Sequence, residues 1–474
     1  MKRVLIANRG EIARRIIQAC TESGIETVAV YTDADSRAGY LSHATQSRRI
    51  GDSYLQSDRI IQAAIESESN AIHPGYGFLA ENAEFAEACQ RSGLTFIGPP
   101  PSAMRLLGNK DDAKRLAQQA GARVVPGYFG EDQSDDRLKA EAQKIGFPLL
   151  IKAIAGGGGR GQRVVDNASD LAPNLAAARR EAQGAFGDDR LMIEKLIAPA
   201  RHVEVQILAD VHGSAIHLFE RDCSAQRRRQ KIIEESPAPK LSSEARDRLT
   251  NSAVAIAKKA GYTNAGTVEF LVSGDEVYFL EVNARLQVEH PVTELVTGID
   301  LVKAQLRIAQ GLPAPDQPSS QYGWAIEARI CAEDPYSNFA PSTGTALYVE
   351  WPRRPFVRVD SALESGDEIT LNYDSLLGKV IAWGADRDEA IDRLRLALQE
   401  TVILGIWTNV GFLIDLIGSA AFRSGSITID SVENMEITPP PPTDEVLIAL
   451  AQARPIESAQ SQGPWIDAWR LKAQ

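Results

Sequence analysis

The chain has 474 residues, is 44% hydrophobic and 24% charged, and carries a net charge of −12. That balance fits a globular protein of about three domains with a sizeable core, and the negative charge excludes a general nucleic-acid binder while allowing a local basic patch that holds phosphates. Four scattered cysteines (Cys20, Cys89, Cys223 and Cys331) form no CxxC pair and no HExxH occurs, which excludes a disulfide framework and a cysteine-based zinc site.

No apolar run approaches the roughly 18–20 residues of a membrane helix, and Met1 leads almost directly into RVLIA. The expectation is therefore no leader peptide, no membrane and a reduced, cytoplasmic setting.

KRVLIANRGEIARRIIQACTESGIETVAVYT reads as strand, turn, helix and strand, a βαβ unit with Ile12, Ile16, Ala19 and Cys20 at helical spacing. Its turn holds only Gly10, so the dinucleotide fingerprint is missing. AIHPGYGF runs into a turn at Pro74, Gly75 and Gly77. The first domain is predicted to end at 108, in GPPPSAMRLLG, where Pro99, Pro100 and Pro101 are expected to stop regular structure. Next come a helix over DDAKRLAQQA, strand FPLLIKA, a loop with Gly156, Gly157, Gly158, Gly159 and Gly161, and strand RVV. Strands LMIEKLI and HVEVQIL and a hairpin over 267–283 follow, and this second domain spans 109–318, with a lid at about 124–197. A third region, 319–437, opens with AIEARICAED and carries a helix at about 386–400. Four prolines at 439–442 make a stiff spacer within a tail, 438–474.

Taking 267–272 and 277–283 as the hairpin strands, alternation groups Val268, Phe270 and Val272 with Tyr278, Leu280 and Val282 as core. Glu269, Glu281 and Asn283 fall on the other face, with Glu269 opposite Glu281. Adjacent carboxylates repel unless a cation lies between them, and an oxygen-only set suits Mg²⁺ or Mn²⁺. A plain solvent-facing strand is the alternative, although Leu271, Val277 and Phe279 on that face argue against full exposure. The glycine loop, with Lys152 just before it, is either a lid folding backbone N–H groups over phosphates or an ordinary surface loop.

NRGEIA (8–13), HPGYGFLAEN (73–82), KAIAGGGGRG (152–161), RHVEVQ (201–206), RDCSAQRRRQK (221–231), EVNARLQVEHPVTE (281–294), EARICAED (327–334) and YDSLLGK (373–379) together resemble the biotin carboxylase family of ATP-grasp ligases. The resemblance covers about residues 3 to 430. It implies an α/β protein: an N-terminal βαβ (pre-ATP-grasp) domain, an ATP-grasp domain with a mobile glycine-rich lid and a C-terminal α+β domain. The implied activity is ATP- and bicarbonate-dependent carboxylation of biotin through carboxyphosphate.

By the same resemblance, Lys110, Lys152, Gly157, Gly158 and Gly159 meet ATP phosphates. Glu194, Lys195 and Ile197 follow the adenine edge, and His202 and Gln226 complete the nucleotide set. Glu269, Glu281 and Asn283 hold the metal. Arg285, Gln287 and the Val288 backbone hold bicarbonate, the planar guanidinium matching the anion. Glu289 is the general base, its pKa expected to rise among surrounding anions. Arg329 stabilises the biotin enolate, Tyr76 lies beside biotin, and Lys231 is a further catalytic position. Plain readings stay open: Lys195 snorkelling, His202 and Tyr76 as packing residues, and 227–229 as a solvated patch. Arg229 replaces the histidine many relatives carry near the ribose.

The alternatives are another ATP-grasp carboxylate–amine ligase, the biotin carboxylase part of a pyruvate or acetyl-CoA carboxylase, and a degenerate regulatory subunit. HPGYGF and EARICAED favour a carboxylase, and the intact set of acidic, amide and basic residues opposes a degenerate copy. Only Met1 precedes a lysine, so the chain lacks the family's Ala-Met-Lys-Met biotinylation site. The expected partners are a biotin carboxyl carrier, on a C-terminal extension or a separate subunit, and a carboxyltransferase subunit, in a homo-oligomer or larger complex. Pro464, Trp465, Trp469 and Arg470 resemble the segment following the carboxylase part of acyl-CoA carboxylase α subunits.

Overall fold

The structure is a computed structural model that describes residues 1–154 and 162–439. Met1–Met435 form one compact unit. The second unit, Glu436–Gln474, lies almost wholly outside the described residues, as do the lid glycines Gly157, Gly158 and Gly159 and the tryptophan-bearing tail.

The N-terminal apolar runs form a five-stranded parallel sheet in the order Gln46–Arg49, Glu26–Tyr31, Arg3–Ile6, Ala71–His73, Thr95–Phe96. Helix Gly10–Glu22 buries Ile12, Ile16, Ala19 and Cys20, the stripe its spacing predicts. The Ala71–His73 strand ends in the HPGYGF turn. There the Asn8 amide donates to the Pro74 and Tyr76 carbonyls, 2.7 Å each. Gly75 has φ +63°, and a Cβ on it would meet Asn8 Nδ2 at 2.8 Å, so this clamp requires glycine. The prolines that follow do not stop regular structure: Pro101 is the first residue of helix Pro101–Gly108. Its missing N–H is one that a helix start leaves unpaired anyway.

Residues 127–195 contain a four-stranded antiparallel sheet in the order Gly127–Tyr128, Leu191–Lys195, Leu149–Ala153, Arg163–Val165. Helices Asp135–Ile145 and Ala168–Phe186 close a separate small core around Leu138, Leu149, Ile151, Leu171 and Ile193.

The main scaffold is an eight-stranded antiparallel sheet. Its order is Glu276–Asn283, Asn264–Ser273, Arg201–Ala209, Ala215–Arg227, Gln230–Ser236, Trp324–Cys331, Leu376–Gly384, Val357–Ser361. Directly paired residues of antiparallel strands share a face, and the register aligns charges along it. Glu281, Glu269, Glu204 and Arg221 face one another in succession across four strands. Farther along, Glu234 pairs with Glu327, and Arg329 with Lys379 and then Asp360.

The hairpin corrects one expectation. Glu269 does pair with Glu281, but the next pair is Phe270 with Phe279, so Leu280 is an extra residue, a β-bulge. The bulge reverses alternation beyond it. Val277 and Phe279 join Val268, Phe270, Val272 and Val282 in the core, while Tyr278 and Leu280 leave it.

Candidate active site

A cavity of about 1020 Å³ lies over this charged face, between the HPGYGF turn, the small 127–195 sheet and the Trp324–Cys331 strand. Of the described residues singled out by sequence, Tyr76, Lys110, Lys152, Glu194, Lys195, Ile197, His202, Gln226, Lys231, Glu269, Glu281, Asn283, Arg285, Gln287, Val288 and Arg329 all line it. Glu289 does not: it is wholly buried, just behind the Lys231 and Arg329 head groups.

Lys231 organises the centre. Its ammonium donates to Glu204 (2.6 Å), Glu269 (2.8 Å) and Glu289 (2.7 Å). Arg329 Nη2 reaches the other Glu289 oxygen at 2.9 Å, and Arg329 Nε donates to Glu234 at 2.6 Å. Burial works against ionised Glu289, but Lys231, Arg329 and Arg221 outweigh it and hold its pKa well below the usual carboxylate range. This reverses the expected upward shift, because residues that converge to bind anions are cations, and in the free site they converge on Glu289.

Beside this centre, Arg285 is fixed as a fork. It donates to Glu81 (2.9 Å), Asn283 Oδ1 (3.0 Å) and Gln287 Oε1 (3.1 Å). The Asn283 amide in turn donates to Glu269 Oε1 at 2.8 Å. His202 Nε2 lies 3.0 Å from Glu269 Oε2. Burial lowers the His202 pKa, but Glu269 prevails and raises it.

A hard cation fits this donor set. Burial, reinforced by the neighbouring Glu269 charge, raises the Glu281 pKa, so the protein's own cations compensate Glu281 less than they do Glu269, whose pKa they lower. Lys231 already serves Glu204, Glu269 and Glu289. Glu269, Glu281 and Asn283 offer oxygen ligands of the kind Mg²⁺ takes.

Toward the small sheet, Lys152 and Lys114 both donate to Glu194. Burial would raise this carboxyl, but the two ammonium groups lower it to about 2. Lys195 instead donates to the Phe147 (2.7 Å) and Gly146 (3.2 Å) carbonyls, so its charge is turned to backbone. Tyr76 donates its hydroxyl to Glu11.

Three family models match in succession: "Biotin carboxylase, N-terminal domain" over 1–104, "Carbamoyl-phosphate synthase L chain, ATP binding domain" over 109–316, and "Biotin carboxylase C-terminal domain" over 327–434. Biotin carboxylase 1 of Bacillus subtilis is 48% identical over 446 residues, covering 92% of this chain and 99% of that protein. The chain belongs to the biotin carboxylase family. Among its relatives in that family, the mitochondrial methylcrotonoyl-CoA carboxylase subunit alpha of Rattus norvegicus is 48% identical over 91% of this chain, which spans 61% of that subunit. The biotin carboxylase domain dimer of Hydrogenobacter thermophilus 2-oxoglutarate carboxylase, solved with MgADP, ADP and bicarbonate, superposes with a TM-score of 0.87. It is 45% identical and covers 91% of this chain and 97% of its own.

This biotin carboxylase family member also uses residues that sequence reasoning passed over. Glu204 and Arg221 are fully buried and paired at 2.5 Å. Glu11, Glu81, Lys114, Glu234 and Lys379 likewise enter the network, and Glu327 is buried on the same face. The available signal was position: most of them lie inside or beside the family segments already quoted.

Proposed function

We propose that this chain catalyses MgATP- and bicarbonate-dependent carboxylation of biotin on a carrier, the first half-reaction of a biotin-dependent acyl-CoA carboxylase. The observation that carries this reading is Glu289 clasped between Lys231 and Arg329, one residue beyond the anion-binding set Arg285, Gln287 and Val288. Lys110, Lys152 and the lid glycines bind ATP phosphates, and Glu194, Lys195, Ile197, His202 and Gln226 line the rest of the nucleotide. Glu269, Glu281 and Asn283 hold the metal, which neutralises phosphate charge when bound.

Glu289 removes the bicarbonate proton, and the bicarbonate oxygen takes the γ-phosphoryl group to give carboxyphosphate and ADP. A carboxylate held so low is a weak base in the free site; entering anions share Lys231 and Arg329 and raise it. Carboxyphosphate breaks down to CO₂ and phosphate, the released phosphate takes the N1 proton of biotin, and N1 attacks the CO₂. Arg329 compensates the negative charge on the biotin oxygen, beside Tyr76.

The proposed organisation is 1–108, 109–318 and 319–437, supported by the three matched segments. The proposed partners are a biotin carrier and a carboxyltransferase subunit, and the α-subunit relative supports an acyl-CoA acceptor. The four cysteines are free, which fits a reducing compartment such as the cytoplasm. Phosphate release from MgATP tests the reading: it requires bicarbonate and rises with free biotin. An ATPase indifferent to both overturns it.

A further inference from the structure

Lys379 is a lysine with no exposed surface, on the strand between Arg329 and Asp360. An ammonium is costly to bury, and an aliphatic side chain would pack there more cheaply. Three groups around its ammonium show what it does. Lys379 Nζ donates to the Val288 carbonyl at 2.7 Å. It lies 3.3 Å from Glu11 Oε1, the oxygen that accepts the Tyr76 hydroxyl hydrogen bond. Asp360 Oδ2 is 3.7 Å away and is itself gripped by Arg358 through two 2.7 Å hydrogen bonds. Glu327 adds a further buried carboxyl on the same face. Burial works against the ammonium, but Glu11, Glu327 and Asp360 outweigh it and keep it charged.

Val288 and Tyr76 come from segments far apart in sequence, and both line the cavity. Each ends, directly or through one carboxylate, on the same nitrogen. We propose that Lys379 is a positioning residue for both substrates, fixing the bicarbonate segment 285–289 through the Val288 carbonyl and the biotin-side turn through Glu11 and Tyr76. The inference rests on the proposed roles of Val288 and Tyr76. It goes further by assigning one buried cation, outside the cavity lining, to set the separation of the two sites. ATP contacts are not part of this strut: Lys110, Lys152 and Glu194 line the cavity from other elements.

The test compares wild type, Lys379→Met and Glu11→Gln by steady-state phosphate release, with ATP, bicarbonate and biotin varied in turn. Wild-type activity that ignores bicarbonate and biotin defeats the functional reading itself, and is measured first. Given a responsive wild type, Lys379→Met is expected to raise KM for bicarbonate and for biotin about tenfold each, with KM for ATP within about twofold. Glu11→Gln is expected to raise KM for biotin alone. Unchanged KM values in Lys379→Met, or all three rising together, overturn the proposal. If Lys379→Met does not fold, Glu11→Gln decides. A rise confined to biotin supports the strut, and no rise, or one shared with ATP, overturns it.

Discussion

Replacing Lys231 by Met removes one ammonium from among three carboxylates whose side chains are 0%, 6% and 0% exposed. Stripping a buried ion pair of one partner costs about 3–5 kcal/mol. Unfolding entropy of about 2.1 cal/mol/K per residue over the 435-residue unit gives about 0.9 kcal/mol/K, hence a melting point lower by about 3–6 °C at pH 8. The pH dependence distinguishes charge from packing. In the wild type, Glu269 and Glu289 are held low, so their contribution is present above the ordinary carboxylate range and lost as pH falls. In the variant, Glu204, which burial already raises, loses Lys231 and rises further, so the folded state binds more protons than the unfolded state and stability falls as pH rises. The deficit should therefore shrink from pH 8 to pH 5. Thermal melts across that range check this, with bicarbonate-dependent phosphate release falling in parallel. An equal melting point at pH 8, or a deficit independent of pH, refutes the reasoning.

Glu281→Gln should lose most turnover and need more Mg²⁺ for half-maximal rate; wild-type turnover with unchanged Mg²⁺ dependence would remove Glu281 from the metal set. Arg329→Ala should retain some bicarbonate-dependent ATP cleavage while carboxybiotin formation drops about 10²- to 10³-fold, and undiminished carboxybiotin would reject its role. Glu234 is pushed by burial, against Arg329, from 4.5 to about 7. Its proton is kept on folding, so stability should fall by up to about 3 kcal/mol as pH rises from about 4.5 to about 7. Glu234→Gln should flatten that slope in urea unfolding, and an unaltered slope would show that another group titrates.

The sequence made the chemistry of the site more legible than its electrostatics. Glu269 opposite Glu281 followed from a period of two and a short turn. The side chains beyond them did not, because nothing in YFLEVN marks Leu280 as the bulged residue, and one inserted residue exchanges both faces. Glu289 was recognisable by its segment. The sign of its pKa shift was not, since it depends on Lys231, Arg329 and Arg221 arriving from three separate strands. Pro101 was read as a breaker because proline ends and starts helices with equal ease, and only the chain after it decides. Lys379 and Glu11 sat unremarked within YDSLLGK and NRGEIA, for burial cannot be read from a lysine or a glutamate alone.

The eight-stranded sheet crosses from the matched segment 109–316 into 327–434, with Gln230–Ser236 laddered to Trp324–Cys331. A chain cut near 318 would leave Gln230–Ser236 as a bare sheet edge, with Ile233 and Glu234 stripped of their partners. Such edges recruit foreign strands, so a severed half would come out of expression as aggregate rather than as a working nucleotide-binding module. The ladder therefore acts as a mechanical splice, and a fusion junction placed between the two larger segments is expected to expose that edge wherever the other half is not supplied.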